Sequence, residues 1–197
     1  KYGRRKLLIL SISGTAISYF LFAYGILTRN IELLFFSRIL DGASGGNISI
    51  AQAVIGDVSA EKDRAKNFGL VGVSIGLGFV LGPFIGGKLS DPALFVAFNA
   101  ATPFWFAGAL SFANLMLVYF YLPETSSLKF ALKIDYNKPL HNIFKSFMIP
   151  NLRQIVPALF LYNAGFTFFT AFWGIILLKQ FDFTQGMVGN YFAYLGV

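Results

Sequence analysis

The chain is 197 residues long, and 56% of its residues are apolar while 13% are charged. Its mean hydropathy of +0.64 is far above that of a soluble domain, whose surface needs more charge than this. With no cysteine and one histidine, His141, disulfides, thiol nucleophiles and zinc clusters are excluded. The net charge of +7 comes from short basic clusters between apolar runs, which indicates membrane topology and not nucleic-acid binding. The composition therefore predicts an integral membrane protein without a metal or a cofactor.

Six apolar segments follow one another along the chain. Five of them reach the roughly 20 residues that a helix needs to cross a bilayer. Lipid cannot satisfy open backbone groups, and the segments lack the alternation of barrel strands, so we predict an all-α membrane protein. The predicted spans are Leu7–Leu27, Ile31–Val54, Phe68–Gly87, Phe104–Leu122, Ile155–Leu178 and a shorter one after Gly186.

The basic residues predict the orientation of these spans. Twelve lysines and arginines fall in the first six residues and in alternate connections after them, against three on the opposite side, Arg29, Lys88 and Lys179. Because cytoplasmic loops are enriched in lysine and arginine, the N-terminal basic cluster is predicted to face the cytoplasm.

The connection 123–153 is the longest polar stretch, and it predicts the domain organisation. We expect residues 1–122 to form one helical bundle, 123–153 to be a cytoplasmic linker and 154–197 to begin a second bundle. The chain starts without methionine and its last apolar segment is short, so we expect an internal piece of a larger protein.

Glycines recur along one face of the third span, at Gly78, Gly82, Gly86 and Gly87, with Pro83 among them. Small residues four apart let two helices approach closely, and a proline deletes a backbone donor so that the helix can bend. The pattern predicts a close helix–helix contact, and in a transporter such a contact is the surface along which helices move.

The string Gly78–Gly87 resembles the antiporter signature of the major facilitator superfamily, G-x-x-x-G-P-x-x-G-G on its fifth helix, at every position. Three further strings resemble superfamily signatures in the expected order. Lys1–Lys6 is similar to the end of the loop signature between helices two and three. Leu34–Gly42 is similar to the fourth-helix signature L-x-x-x-R-x-x-Q-G, with Asp41 in place of glutamine, and Leu122–Thr125 is similar to the Pro-Glu-Thr end of helix six.

The stretch from Gly56 to Gly69 looks like the corresponding loop of the tetracycline/proton antiporters. The resemblance implies helices three to eight of a twelve-helix fold, five complete and one partial. It also implies a proton-coupled antiporter that exports small amphipathic compounds and is not an enzyme. We expect a multi-pass protein of the plasma membrane, the inner membrane in a bacterium, surrounded by lipid and by the remaining helices of the same transporter, and monomeric when complete.

Arg38 and Asp41 lie three residues apart in the second predicted span. An arginine at membrane depth costs about 3 kcal/mol unless it is paired or hydrated, and Asp41 is on the same helical face. Two interpretations stay open: a structural ion pair, or a pair that takes part in proton coupling, as the resemblance implies for the fourth-helix arginine.

A cytoplasmic gate is the second candidate site. By resemblance to the loop signature, Arg4 or Arg5 is expected to pair with Asp57 and to hold two helix ends together. Gly3 and Arg64 complete the predicted gate. A merely exposed ion pair would contribute about 0–1 kcal/mol and would have little effect.

Substrate contact is predicted on the fifth and second spans. Tyr162, Phe166, Phe169 and Trp173 are spaced four, three and four residues apart and so form one helical stripe. Asn163 flanks the stripe, while Asn47 and Gln52 are candidates on the second span. Packing between helices is the alternative explanation of the stripe.

Three other functions compete with drug export. A carrier for a sugar, an organic acid or a siderophore is the main alternative within the superfamily. A channel would need polar residues repeated along a pore, and a membrane enzyme would need clustered acids, bases or metal ligands inside the spans. The sequence shows neither the pore pattern of a channel nor the clustered groups of a membrane enzyme.

Overall fold

The structure, a computed structural model, describes residues 3–125 and 154–195. Every regular element in these ranges is helical, which confirms the predicted all-α fold. The α-helices are α1 (Arg4–Thr28), α2 (Ile31–Ser44), α3 (Asn47–Val58), α4 (Arg64–Leu89), α5 (Thr102–Tyr121), α6 (Ile155–Gln180) and α7 (Gln185–Leu195), and a 3₁₀ turn, Glu61–Asp63, precedes α4.

Four helices are long and apolar enough to cross a membrane: α1, α4 with its 3₁₀ turn, α5 and α6. They contain the first, third, fourth and fifth predicted spans to within two residues at most boundaries. Large apolar side chains cover their outer surfaces, and α4 has no buried residue along its length. Such surfaces suit lipid or further helices as neighbours.

The second predicted span, Ile31–Val54, is wrong as a continuous helix. Gly45 and Gly46 interrupt it, so that α2 ends at Ser44 and α3 begins at Asn47. Two consecutive glycines lower the helix propensity by about 1 kcal/mol each, and the amide of Gly46 turns back to donate to the Ser44 carbonyl at 2.8 Å. The Ser11 hydroxyl of α1 also donates to the Ser44 carbonyl, which fixes the break against α1.

A tight turn joins α1 to α2. Arg29 adopts the left-handed conformation with φ 53°, and its amide donates to the carbonyls of Gly25 and Ile26. Asn30 then caps α2, its side-chain oxygen accepting from the Leu33 amide at 3.0 Å. This C-cap followed directly by an N-cap makes α1 and α2 antiparallel neighbours.

Most of the buried side chains among the described residues lie on α1, which packs against both α2 and α5. Phe20 meets Trp105 with ring centroids 5.6 Å apart, and Phe22 meets Phe104 at 4.5 Å. Gly108 lies flat against the Phe20 ring, where a β-carbon would come within 2.7 Å of it. Helix α1 is therefore the centre of this bundle.

The chain forms two compact units, Lys1–Ala131 with Thr184–Val197, and Leu132–Phe183. Helices α1–α5 and α7 belong to the first unit and α6 to the second. Residues 126–153, most of the predicted linker, lie outside the described residues. The division into a bundle 1–122, a linker 123–153 and a second bundle 154–197 stays a prediction.

Candidate functional site

The N-terminal end of α1 lies where the ends of α3 and α5 meet. Arg4 forms an ion pair with Asp57, with side-chain exposures of 23% and 30%. The Arg4 guanidinium also donates to the Ala53 carbonyl at 2.6 Å. Ala53 and Asp57 are one turn apart near the end of α3. Arg4 therefore hydrogen-bonds a carbonyl in the last turn of α3 and balances the charge of the Asp57 carboxylate.

Glu124, just after α5, joins the same cluster. Its carboxylate accepts from the Arg4 backbone amide at 2.8 Å, and Gly3 lies directly beneath it, so that any β-carbon on Gly3 would collide with the carboxylate. An acidic side chain at the start of α1 accepts a hydrogen bond from a free helix amide. Its negative charge is also attracted to the positive end of the helix dipole, which stabilises the helix.

Arg5 turns toward α5 and not toward Asp57. Its guanidinium donates to the Tyr119 carbonyl at 2.5 Å and lies 5.8 Å from the centre of the Tyr119 ring. Arg64, at the start of α4, is exposed, and its side chain takes part in none of the hydrogen bonds or ion pairs among the described residues. Of the five predicted gate residues, Gly3, Arg4 and Asp57 are brought together, whereas Arg5 contacts α5 and Arg64 is not part of the cluster.

The second charged pair lies on α2. Arg38 Nη1 is 3.4 Å from Asp41 Oδ2, one helical turn away, and the side chains are 41% and 27% exposed. The guanidinium is also 4.3 Å from the centre of the Phe22 ring and 5.6 Å from that of Tyr19, both on α1. Arg38 is thus held by one carboxylate and two aromatic rings, and a cation over a ring gains about 0.5–2 kcal/mol.

The glycine face of α4 meets α7 at its far end. A β-carbon on Gly87 would lie 2.7 Å from the Gln185 carbonyl oxygen, and one on Gly189 would lie 2.5 Å from the Pro83 carbonyl oxygen. Around a hypothetical β-carbon on Gly78, Gly82 or Gly86, nothing lies within 4 Å among the described residues. The two helices are therefore in backbone contact at Pro83 and Gly87, while the rest of the pattern is open.

Asn47 and Gln52 face two different clefts on either side of α3. Asn47 shares a cleft of 340 Å³ with Asn114 of α5 and with Leu8 and Ile12 of α1. Gln52 lines a cleft of 230 Å³ that is otherwise bounded by apolar residues and by Ser74 of α4. The two predicted substrate residues on this helix do not share a pocket.

Three features thus stand together: Arg4 pairs with Asp57 at the end of α3, Arg38 pairs with Asp41 within α2, and the glycine–proline helix α4 is in backbone contact with α7. The family model of the Major Facilitator Superfamily matches residues 1–197. The chain belongs to the Major Facilitator Superfamily. It is therefore a multi-span integral membrane protein of a transporter superfamily.

Several members of the superfamily are similar to this chain. The class B tetracycline resistance protein of Escherichia coli is 32% identical over 129 residues, 66% of this chain and 30% of that protein. The class H tetracycline resistance protein of Pasteurella multocida is 27% identical over 199 residues, 100% of this chain and 48% of that protein. Multidrug resistance protein 2 of Bacillus subtilis is 32% identical over 130 residues, 66% of this chain. The chain spans about half the length of these relatives or less.

The predicted aromatic stripe lies on α6. Tyr162 stacks on Phe166 with centroids 6.4 Å apart, and Phe169 stacks on Trp173 at 5.8 Å, so the four predicted rings form two stacked pairs on this helix. The Asn163 amide donates to the Leu159 carbonyl of its own helix at 2.7 Å. A second stacked pair, Phe168 and Phe172, lies on the same helix at 5.6 Å.

Sequence reasoning missed several residues of these sites. Glu124 belongs to the Pro-Glu-Thr string and is not among the predicted gate residues, although an acidic residue directly after a span is itself a signal for pairing with a basic cluster. Gly189 follows Gly186 at three-residue spacing, which is a weak small-residue signal. No sequence pattern marked Phe22 and Tyr19 as neighbours of Arg38. Among the described residues, no cluster of three or more metal-ligating side chains occurs.

Proposed function

We propose that the chain is part of a proton-coupled antiporter that exports small amphipathic compounds across a bacterial plasma membrane. The observation that carries the proposal is the backbone contact of the glycine–proline helix α4 with α7 at Gly87 and Gly189. The similarity to tetracycline resistance proteins and to Multidrug resistance protein 2 supports drug export over other cargo.

The transport mechanism we propose is alternating access. Two helical bundles rock against each other around a central cavity, and the substrate is exposed to each side of the membrane in turn. A contact between glycines has no interlocking side chains, so the helices can separate and close again without repacking. Helices α4 and α7 would form one such moving contact. We also propose that the complete transporter acts as a monomer in the lipid bilayer.

Arg4, Arg5, Gly3 and Asp57 serve as the cytoplasmic gate in this proposal. The Arg4–Asp57 pair ties α1 to α3 while the cytoplasmic side is closed, and it is partly shielded from water. Such a pair contributes more than a fully exposed one because water screens it less. Arg64, being exposed at the start of α4, is assigned to attracting Asp57 only when the gate rearranges.

Arg38 and Asp41 carry the proton-coupling role in the proposal. Protonation of Asp41 would remove the charge that balances Arg38 and leave the guanidinium held by the Phe22 and Tyr19 rings alone. A change of about 0.5–2 kcal/mol in a local pairing shifts the population ratio of two states by roughly 2-fold to 30-fold. Protonation on α2 would in this way change the contact between α2 and α1.

Substrate contact is assigned to Asn47 on α3 and to the stripe of α6, with Gln52 and Asn163 as further contacts. Stacked aromatic rings suit flat, amphipathic and cationic compounds, since such molecules gain from both apolar contact and cation–π attraction. Asn47 together with Asn114 would supply the directional hydrogen bonds.

The proposal is tested in inverted membrane vesicles that contain the intact transporter. A proton gradient is imposed, and amphipathic compounds including tetracycline are added one at a time. We expect compound-dependent dissipation of the gradient, reduced by Asp41→Asn and unchanged by Glu32→Gln, which removes an exposed acid from the same helix. If only sugars, organic acids or siderophores dissipate the gradient, the chain belongs to a metabolite carrier and the drug-export proposal is wrong.

A further inference from the structure

The connection between α4 and α5 lies at the end of the bundle opposite the Arg4–Asp57 pair. Asp57 ends α3 just before α4 begins, and Arg5 contacts Tyr119 at the end of α5. The start of α4 and the end of α5 are therefore at the Arg4 end. The other ends of these two long helices, and the residues 90–101 that join them, lie across the membrane from it.

This connection is ordered and carries no charge after Asp91. Leu94, Phe95 and Val96 are 54%, 59% and 95% exposed. Successive turns hold the backbone: the Leu94 amide donates to Asp91 at 3.1 Å, and the Phe98 amide donates to Phe95 at 2.9 Å. A connection so apolar is unlike a solvated loop, which is usually polar and charged.

Aromatic residues mark the same level on the flanking helices. Phe84 lies in the last two turns of α4, beneath the Lys88 ammonium at 5.7 Å from its ring centre. Trp105 lies in the first turn of α5 and is 40% exposed. A tryptophan at a helix end, with a lysine reaching outward, is typical of the boundary between hydrocarbon and headgroups.

We infer that the 92–98 segment is a membrane-surface anchor, which inserts Leu94, Phe95 and Val96 among the lipid headgroups of the leaflet opposite the Arg4–Asp57 pair. The occupant of this apolar surface is lipid, because the surface continues directly into α4 and α5, two of the helices that are long and apolar enough to cross a membrane. Burying these side chains at the interface removes apolar area from water and fixes the α4–α5 hairpin at a set depth.

The test is a fluorescent label at position 96 of the intact transporter, reconstituted in phosphatidylcholine vesicles. The 197 residues contain no cysteine, so V96C in a background without other cysteines places one environment-sensitive dye on the loop. A60C is the matched control, since Ala60 is an exposed small residue in the α3–α4 connection beside Glu61 and Lys62. Neither substitution touches a buried side chain.

We expect the V96C label to have blue-shifted emission, to be quenched by lipids with a nitroxide at headgroup depth, and to be shielded from aqueous iodide. The A60C label should be quenched by iodide, which is supplied on both sides of the vesicle membrane because positions 60 and 96 lie on opposite sides of it. Equal iodide quenching at both positions would overturn the inference, because the segment would then lie in water. Protection of the V96C label from both quenchers would also overturn it, because another part of the protein would then cover the surface.

Discussion

Gly87 and Gly189 meet backbone to backbone. A β-carbon on Gly87 would lie 2.8 Å from the Gly189 α-carbon, and one on Gly189 would lie 2.9 Å from the Gly87 α-carbon. Both distances are below what real β-carbons tolerate, and backbone neighbours cannot rotate out of the way. Helices α4 and α7 must therefore move apart before either position accepts a larger residue.

Gly189→Ala should reduce the transport rate, because overpacking of this kind costs about 1–3 kcal/mol. Gly87→Ala should have a similar effect. Gly78→Ala is the matched control, since its β-carbon would find no neighbour within 4 Å and alanine favours the helix. The measurement is the initial rate of substrate-driven proton movement in vesicles with equal amounts of protein. Equal rates for Gly189→Ala and Gly78→Ala would contradict the prediction.

Asp57→Arg should impair transport, because it places a second cation beside Arg4. Combining it with Arg4→Asp restores opposite charges and should recover part of the activity. Recovery will be incomplete, since an aspartate carboxylate has no proton to donate to the Ala53 carbonyl, which accepts from Arg4 at 2.6 Å. The rates of both single variants and of the double variant are compared. A double variant no better than the worse single variant would show that the pair acts independently.

Asp41→Asn should lower the dependence of transport on the proton gradient while the protein still binds its compound. Asparagine cannot exchange a proton, and it leaves the Arg38 guanidinium with the Phe22 and Tyr19 rings. The measurement is transport rate against imposed gradient, with binding followed separately. Glu32→Gln, on the same helix and exposed, should behave as the parent. An unchanged gradient dependence in Asp41→Asn would limit the pair to a structural role.

Ser11→Ala should destabilise the protein by about 1 kcal/mol, because the carbonyl of Ser44 at the α2–α3 break loses its donor from α1. Ser13→Ala is the control on the same helix, since its hydroxyl bonds only the Ile9 carbonyl of α1 itself at 2.7 Å. Thermal unfolding in detergent measures both. A melting temperature that is lower for Ser13→Ala than for Ser11→Ala would contradict the prediction.

Phe169→Ala should raise the apparent KM for an amphipathic substrate and should change the maximal rate by a smaller factor. The reason is that it removes contact area from one face of α6. Phe168→Ala is the control: this ring is stacked in the same manner, on Phe172, but lies outside the predicted stripe. Concentration dependence of transport separates the two parameters. Identical KM values for the two variants would favour packing as the role of the stripe.

The extent of the helices was predictable because it depends on local properties. Runs of apolar residues set α1, α4, α5 and α6, and lipid leaves no alternative to a helix there. The break at Gly45 and Gly46 was missed since a hydropathy pattern does not distinguish a glycine within a helix from a glycine between two. At the break, the Ser44 carbonyl accepts from the nearby Gly46 amide and from Ser11, a residue more than thirty positions away that spacing does not connect with it.

The candidate sites divide in the same way. The Arg38–Asp41 pair is one helical turn and could be read from spacing, as could the stripe of α6. Whether Arg4 or Arg5 meets Asp57 depends on the rotation of α1 against α3 and α5, which spacing does not contain. The partner of the glycine face, Gly189, is set by the packing of α4 on α7, a contact between segments about one hundred residues apart.

The glycine pair at 45–46 gives the transporter a joint between its two charged pairs. Arg38 and Asp41 lie on the segment before it, and Asp57 lies on the segment after it. A rigid rod would transmit every tilt at one end to the other. With a joint in between, the proposed protonation of Asp41 would reorient α2 while the Arg4–Asp57 pair stays closed, so the two proposed events would occur in sequence and not at the same moment.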